Sequence, residues 1–116
     1  MAQLSRDGDE LILTLDTVEK LESVHGDIRV PMSSITGIDV VDDVIHAVYG
    51  IKLPGTRWPG KIAVGTFISF SGTRTFAVIH HDQPRGLIVR LNNATYDEII
   101  VGSDDPEAMK ARVEAS

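Results

Sequence analysis

Between Ile62 and Val101 the chain repeats one arrangement four times: a short run of β-branched and other apolar residues, then a cluster of turn formers. The runs are Ile62 to Phe70, Arg74 to His81, Leu87 to Leu91 and Tyr96 to Val101, separated by "SGT", "DQPRG" and "NNAT". Short strands at roughly 8–12-residue spacing, each ended by turn chemistry, point to a sandwich or barrel. The upstream half reads the same way. Leu11 to Leu15 is a strand, and Asp7-Gly8 before it is a hairpin turn pair that makes Ala2 to Ser5 a short partner. Ile28 to Val30 is extended and stopped by Pro31, "SSI" turns the chain, and Ile35 to Val41 resumes the strand pattern.

Helical signals are few. Val18, Leu21 and Val24 recur every three residues ahead of Gly26, which predicts one or two helical turns. "DDVIHAVYG" reads as a short capped helix with Gly50 past its end. The clearest is "SDDPEAMKARVEAS": Asp105 caps, Pro106 takes the first helical position, and Met109 and Val113 share one face. The expectation from the residues is therefore a mainly β domain spanning residues 1–116, a barrel or sandwich of seven or eight short strands, with one C-terminal α-helix suited to cover an open barrel end.

Composition narrows the function classes. The absence of cysteine removes disulfides, thiol catalysis and thiolate metal sites. No apolar stretch approaches the ~20 residues of a membrane span, and the first residues contain no apolar signal core, so a cytoplasmic location is expected. A net charge of −6 argues against a nucleic-acid partner and against general binding to anionic membranes. The charge is uneven, however. Residues 50–90 carry six basic side chains (Lys52, Arg57, Lys61, Arg74, Arg85, Arg90) and one acid, Asp82, inside an otherwise acidic chain.

"RVPMSSITGIDV" (Arg29 to Val40) and "DEIIVGSDDPEAMKARV" (Asp97 to Val113) resemble words of the bacterial pleckstrin-homology-like (PH-like) domains. There a strand ends in a hydrophobic–Pro–x–Ser–x–Ile turn, and the last strand runs into Asp-Pro-Glu at the start of the closing helix. Val48 to Phe67 also looks like a small actinobacterial group within this class. The resemblance implies the seven-stranded bent barrel and its C-terminal helix, and it leaves activity open because the fold serves lipids, peptides and oligomerisation alike. It does not extend to the phosphoinositide site of the wider fold, which places several Lys and Arg on the first hairpin. Here Ser5 to Leu15 offers only Arg6 among Asp7, Asp9 and Glu10.

Catalytic patterns are weak. "GTRWPGKI" satisfies the G-x-x-x-x-G-K spacing of a phosphate-cradling loop. Pro59 lacks an N–H, Ile62 cannot ligate magnesium, and the residues after Lys61 read as a strand instead of a helix. His25, His46, His80 and His81 lack the H-x-H or H-x-x-x-H spacings of metal sites. Asp42-Asp43, Asp97-Glu98 and Asp104-Asp105 are paired carboxylates best explained as caps and strand ends. Ser33 and Ser34 lack a nucleophile elbow. No catalytic residue, metal ligand or cofactor is assigned, and an enzyme is not expected. Gly50, Gly55, Gly60 and Gly65 recur every five residues, with Pro54 and Pro59 before the middle two, so 50–60 is expected as a stiff double turn around Trp58. The function expected is an interaction module that binds a protein partner or a second copy of itself through Arg57, Trp58, Lys61 and Lys52. The alternative is a small-ligand or anionic-lipid binder using the basic 50–90 section.

Overall fold

The computed structural model describes residues 2–17, 19–20, 26–48, 51–58, 62–80 and 83–114, without the side chains of 46, 51–58 and 62. The chain is mainly β with one C-terminal helix, as expected. Among the described residues there are nine strands, β1 (Gln3–Asp7), β2 (Glu10–Thr14), β3 (Ile28–Pro31), β4 (Ile35–Val41), β5 (Ile51–Trp58), β6 (Ile62–Ile68), β7 (Arg74–Ile79), β8 (Gly86–Leu91) and β9 (Glu98–Gly102). The helix α1 is Pro106–Glu114. The strands form two sheets among the described residues, a three-stranded one in the order β1-β2-β3 and a six-stranded one in the order β4-β8-β9-β7-β6-β5.

Local chemistry explains most boundaries. Asp7 pairs with Glu10 across a two-residue loop, and Gly8 supplies the positive φ (59°) at its first corner. Pro31 ends β3, and a 3-10 turn at Met32–Ser34 carries the chain to the other sheet. Asp105 Oδ1 accepts the Ala108 N–H at 3.1 Å, and Met109 and Val113 are buried, so the cap and the apolar face of α1 lie where the spacing puts them.

Strand β9 decides the topology. It lies between β7 and β8, parallel to the first and antiparallel to the second. A strand in that position is buried on both faces, which matches the unbroken apolar run Ile99, Ile100, Val101, all fully buried. Alternation then sorts the large sheet into two faces. Val64, Phe76, Val78, Leu87, Val89, Ile99 and Val101 pack with Leu4, Leu11, Leu13 and Val30 of the small sheet and with Met109 and Val113 of α1. Ala63, Phe67, Ala77, Ile79, Ile88 and Ile100 face the other way and are covered by Val44 and Val48.

Gly86 sits opposite Gly102 where β8 meets β9, and an added Cβ there would lie 2.0 Å from the Val101 carbonyl oxygen. Only glycine fits that approach.

Two expectations change. Residues 50–60 are turn formers by composition, yet Ile51–Trp58 is a strand paired with β6. The reason is position: β5 is the sheet edge, where proline costs no ladder bond, and the register shifts between Lys52 and Gly55 to accommodate Pro54. The helix expected in "DDVIHAVYG" is a single 3-10 turn, Ile45–Ala47, without a side-chain cap, because the Val44 N–H bonds to Pro84 O at 2.9 Å and Val44 and Val48 bury against the sheet. After Leu15, Thr17, Glu19 and Lys20 are helical, while Val18, Leu21 and Val24 of the expected pattern lie outside the described residues. Among the described residues no helix is long and apolar enough to cross a membrane.

Candidate functional site

The hairpin joining β6 to β7 builds the most exposed feature of the described surface. Ser69 N bonds to Thr73 O and Gly72 N to Ser69 O, each at 3.0 Å, closing a three-residue loop of Phe70, Ser71 and Gly72. Gly72 adopts φ 89°, the left-handed corner that lets such a loop close. Phe70 stands at the tip with a relative exposure of 101%, the one large hydrophobic exposed among the side chains described.

Beside the tip lies a groove of about 500 Å³ lined by Ser69, Ser71, Thr73, Thr75 and Glu98. The hydroxyls run in a chain: Ser69 Oγ lies 2.8 Å from Ser71 Oγ, which lies 3.4 Å from Thr73 Oγ1. The Thr73 N–H donates to Ser69 Oγ at 3.0 Å and fixes the first of them. On the groove floor Thr75 is buried and donates its hydroxyl to Glu98 Oε1 at 2.8 Å. The parallel β7–β9 pairing makes this contact, because it sets Thr75 directly opposite Glu98.

The residues singled out from the sequence are distributed along β5. Lys52 lies opposite Phe67, near the Phe70 end of the sheet, whereas Arg57 and Trp58 lie opposite Ala63 and Ile62 at the far end. Six residues of strand separate Lys52 from Trp58 by about 20 Å at ~3.3 Å per residue. Lys61 lies outside the described residues, as do the side chains of the other three. Gly55 to Trp58 are extended and paired with β6, a ladder instead of the inward-curled backbone of a phosphate loop.

Two of the six basic residues of the section are paired with acids in space. Arg85 bonds to Asp42 (Nε to Oδ1, 3.1 Å) and to both carboxylate oxygens of Glu107, and Arg90 pairs with Asp39. These acids lie outside residues 50–90. The Arg85 guanidinium holds the Glu107 carboxyl below its ordinary value, and Glu107, then Asp42, raise Arg85 in return. Among the described residues Arg74 makes no ion pair.

A second polar cluster joins distant parts of the chain. Glu19 is 1% exposed; its Oε2 accepts the Ala2 N–H at 3.1 Å and His80 Nε2 at 3.0 Å, and its Oε1 accepts the Asp16 N–H at 3.0 Å. Asp16 Oδ1 accepts the Glu19 N–H at 2.8 Å, so the two acids form a reciprocal capping box at the start of the Thr17–Lys20 turn. A carboxylate engaged on both oxygens by backbone donors acts as a structural tie. Among the described residues no group of three or more His, Asp or Glu side chains gathers for a metal ion.

Comparison with family models, with curated proteins and with solved structures finds no match.

Sequence reasoning alone misses Phe70, the hydroxyl groove and Glu19. Asp16-Thr-Val-Glu19 carries the spacing of a capping box, the signal that points to Glu19. "SFSGTRT" signals only a break at "SGT", because nothing local joins Thr75 to Glu98.

Proposed function

We propose that this chain is a non-catalytic interaction module, PH-like in architecture, that docks a protein partner or a second copy of itself. The full exposure of Phe70 on a closed, glycine-cornered hairpin carries the reading. An aromatic presented on a closed hairpin beside a polar groove supplies a large apolar contact, the pairing that anchors protein interfaces. Lys52 lies at the same end of the sheet, while Arg57, Trp58 and Lys61 belong to the opposite end of β5 and the residues after it. They are a second contact region of the same edge.

The PH-like part rests on the two words resembling that class, which form the β3–β4 corner and the β9–α1 junction. A bent barrel further requires bonds between the small sheet and one edge of the large one, β4 or β5. Barrel closure is thus a feature of the proposal. The alternative, an anionic ligand held by the 50–90 section, has less support, since Arg85 and Arg90 are already paired with acids.

The test compares wild type with Phe70→Ala and Trp58→Ala by light scattering and by affinity purification from the native cell. Phe70→Ala, at a fully exposed site, leaves the melting temperature unchanged. Loss of partners or of self-association in that variant supports the reading. If both variants keep every partner and the same mass in solution, the reading is wrong.

A further inference from the structure

The groove beside Phe70 has a chemistry narrower than "protein partner". Its polar lining is four hydroxyls and one carboxylate, with no basic side chain among the lining residues described. Thr75 holds Glu98 through Oε1, and Glu98 is the carboxylate of the groove lining. Arg90, the register partner of Glu98 on β8, is bound to Asp39 instead, and no cation pairs with Glu98 among the described residues. Asp97 lies outside the lining, and its Oδ2 accepts the backbone N–H of the exposed Arg74 at 2.8 Å.

We infer that this groove receives an arginine side chain from the partner, an inference that rests on the interaction-module reading. An anion is disfavoured by Glu98. A hard metal ion would need several carboxylate or carbonyl ligands, and the groove offers one carboxylate. A guanidinium matches on three counts. Its planar fork of five N–H donors suits a carboxylate flanked by hydroxyl oxygens, and Ser69, Ser71 and Thr73 present those oxygens in a row. Phe70, exposed at the tip of the same hairpin and outside the groove lining, offers apolar surface to the segment that carries the arginine. The net charge of −6 draws a cationic segment toward the protein.

The experiment is an amide-resolved NMR titration of the full chain with four probes: Ac-Gly-Arg-Gly-NH2, its Lys and Glu counterparts, and glucose. The expected result is saturable shifts at Ser71, Gly72, Thr75 and Glu98 with the Arg peptide, weaker shifts with Lys and none with Glu. Glu98→Gln, which keeps the Thr75 bond, is expected to weaken Arg binding about tenfold, in line with the loss of one charge-assisted contact. Raising salt is expected to weaken it as well. Equal response to the Glu peptide, preference for glucose, or unchanged binding in Glu98→Gln overturns the inference. The two readings separate cleanly. Loss of partners in Phe70→Ala with no arginine response keeps the module and refutes the arginine site. An arginine response with every partner and the same mass retained in both Phe70→Ala and Trp58→Ala does the reverse.

Discussion

Replacing Glu19 with alanine should cost more stability than any surface change of similar size. Glu19 is 1% exposed and makes hydrogen bonds to Ala2 N, Asp16 N and His80 Nε2. The losses differ because the partners differ in access to water. Ala2 is buried, so its orphaned N–H costs roughly 1–3 kcal/mol. Asp16 is exposed and its N–H rehydrates, leaving about 0.5–1 kcal/mol for the lost capping bond. His80 is 26% exposed and recovers part of its hydration, a further ~1 kcal/mol. Together these give about 3–5 kcal/mol, a large part of the roughly 6–17 kcal/mol that a chain of this length is expected to have. At about 2 cal/mol/K of unfolding entropy per residue, the melting temperature falls by ~12–20 °C. Glu19→Gln retains one acceptor oxygen and should lose about 1–2 kcal/mol, and His80→Ala, which leaves both backbone donors satisfied, about 1 kcal/mol. Urea unfolding followed by circular dichroism measures all three. If His80→Ala costs as much as Glu19→Ala, the carboxylate serves the histidine and the backbone-tie argument is wrong. A Glu19→Ala loss under about 1 kcal/mol refutes the burial argument outright.

Two further predictions concern the large sheet and its helix. Gly86→Ala places a methyl group against the Val101 backbone, which cannot move without breaking the β8–β9 ladder, and should destabilise by about 1–3 kcal/mol or prevent folding. Gly37→Ala on edge strand β4, where an added Cβ meets nothing within 4 Å, is the control and should be near neutral by the same denaturant assay. For Glu107, whose carboxyl Arg85 holds below its ordinary value of 4.5, the folded-state value lies under the unfolded one. The stabilisation is therefore present above the unfolded value and lost as pH falls through the folded one. The melting-temperature difference between wild type and Glu107→Gln should be small, steady above the ordinary carboxylate range, and should fade as the pH drops below the ordinary value. A difference that grows on acidification contradicts the pairing.

Local signals are legible wherever the physics is local. The Asp105-Pro106 helix start, the Asp7-Gly8 hairpin and the four downstream strands depend on neighbours a few residues apart, and the structure has each of them. Pro54-Gly55 misleads because the turn preference of that pair is only an average. A sheet edge with a register shift satisfies the same dihedral needs in an extended chain, and edge position is a property of the whole sheet. The parallel insertion of β9 is equally hidden, and with it the meeting of Thr75 and Glu98. Periodicity says that Ile99 to Val101 is a strand buried on both faces, but not which neighbours bury it.

The charge pattern shows why function is harder to read than fold. Along the sequence, the basic residues of 50–90 look like an anion site set in an acidic chain. In space, Arg85 stitches the segment before β8 to Asp42 and to the first turn of α1, and Arg90 joins β8 to Asp39 on β4. For these two arginines the segregation along the chain is what cross-linking a non-local sheet produces, with acids on flanking elements answering bases on β8 and the segment before it. Where the pattern fails to cancel is more informative than where it is strong. At Glu98 a register-opposed arginine is present and turned to another acid, leaving a carboxylate oriented by a buried hydroxyl and no cation in place among the described residues. The candidate site lies at that local imbalance, beside the exposed Phe70, and its sign is opposite to the one the sequence suggests.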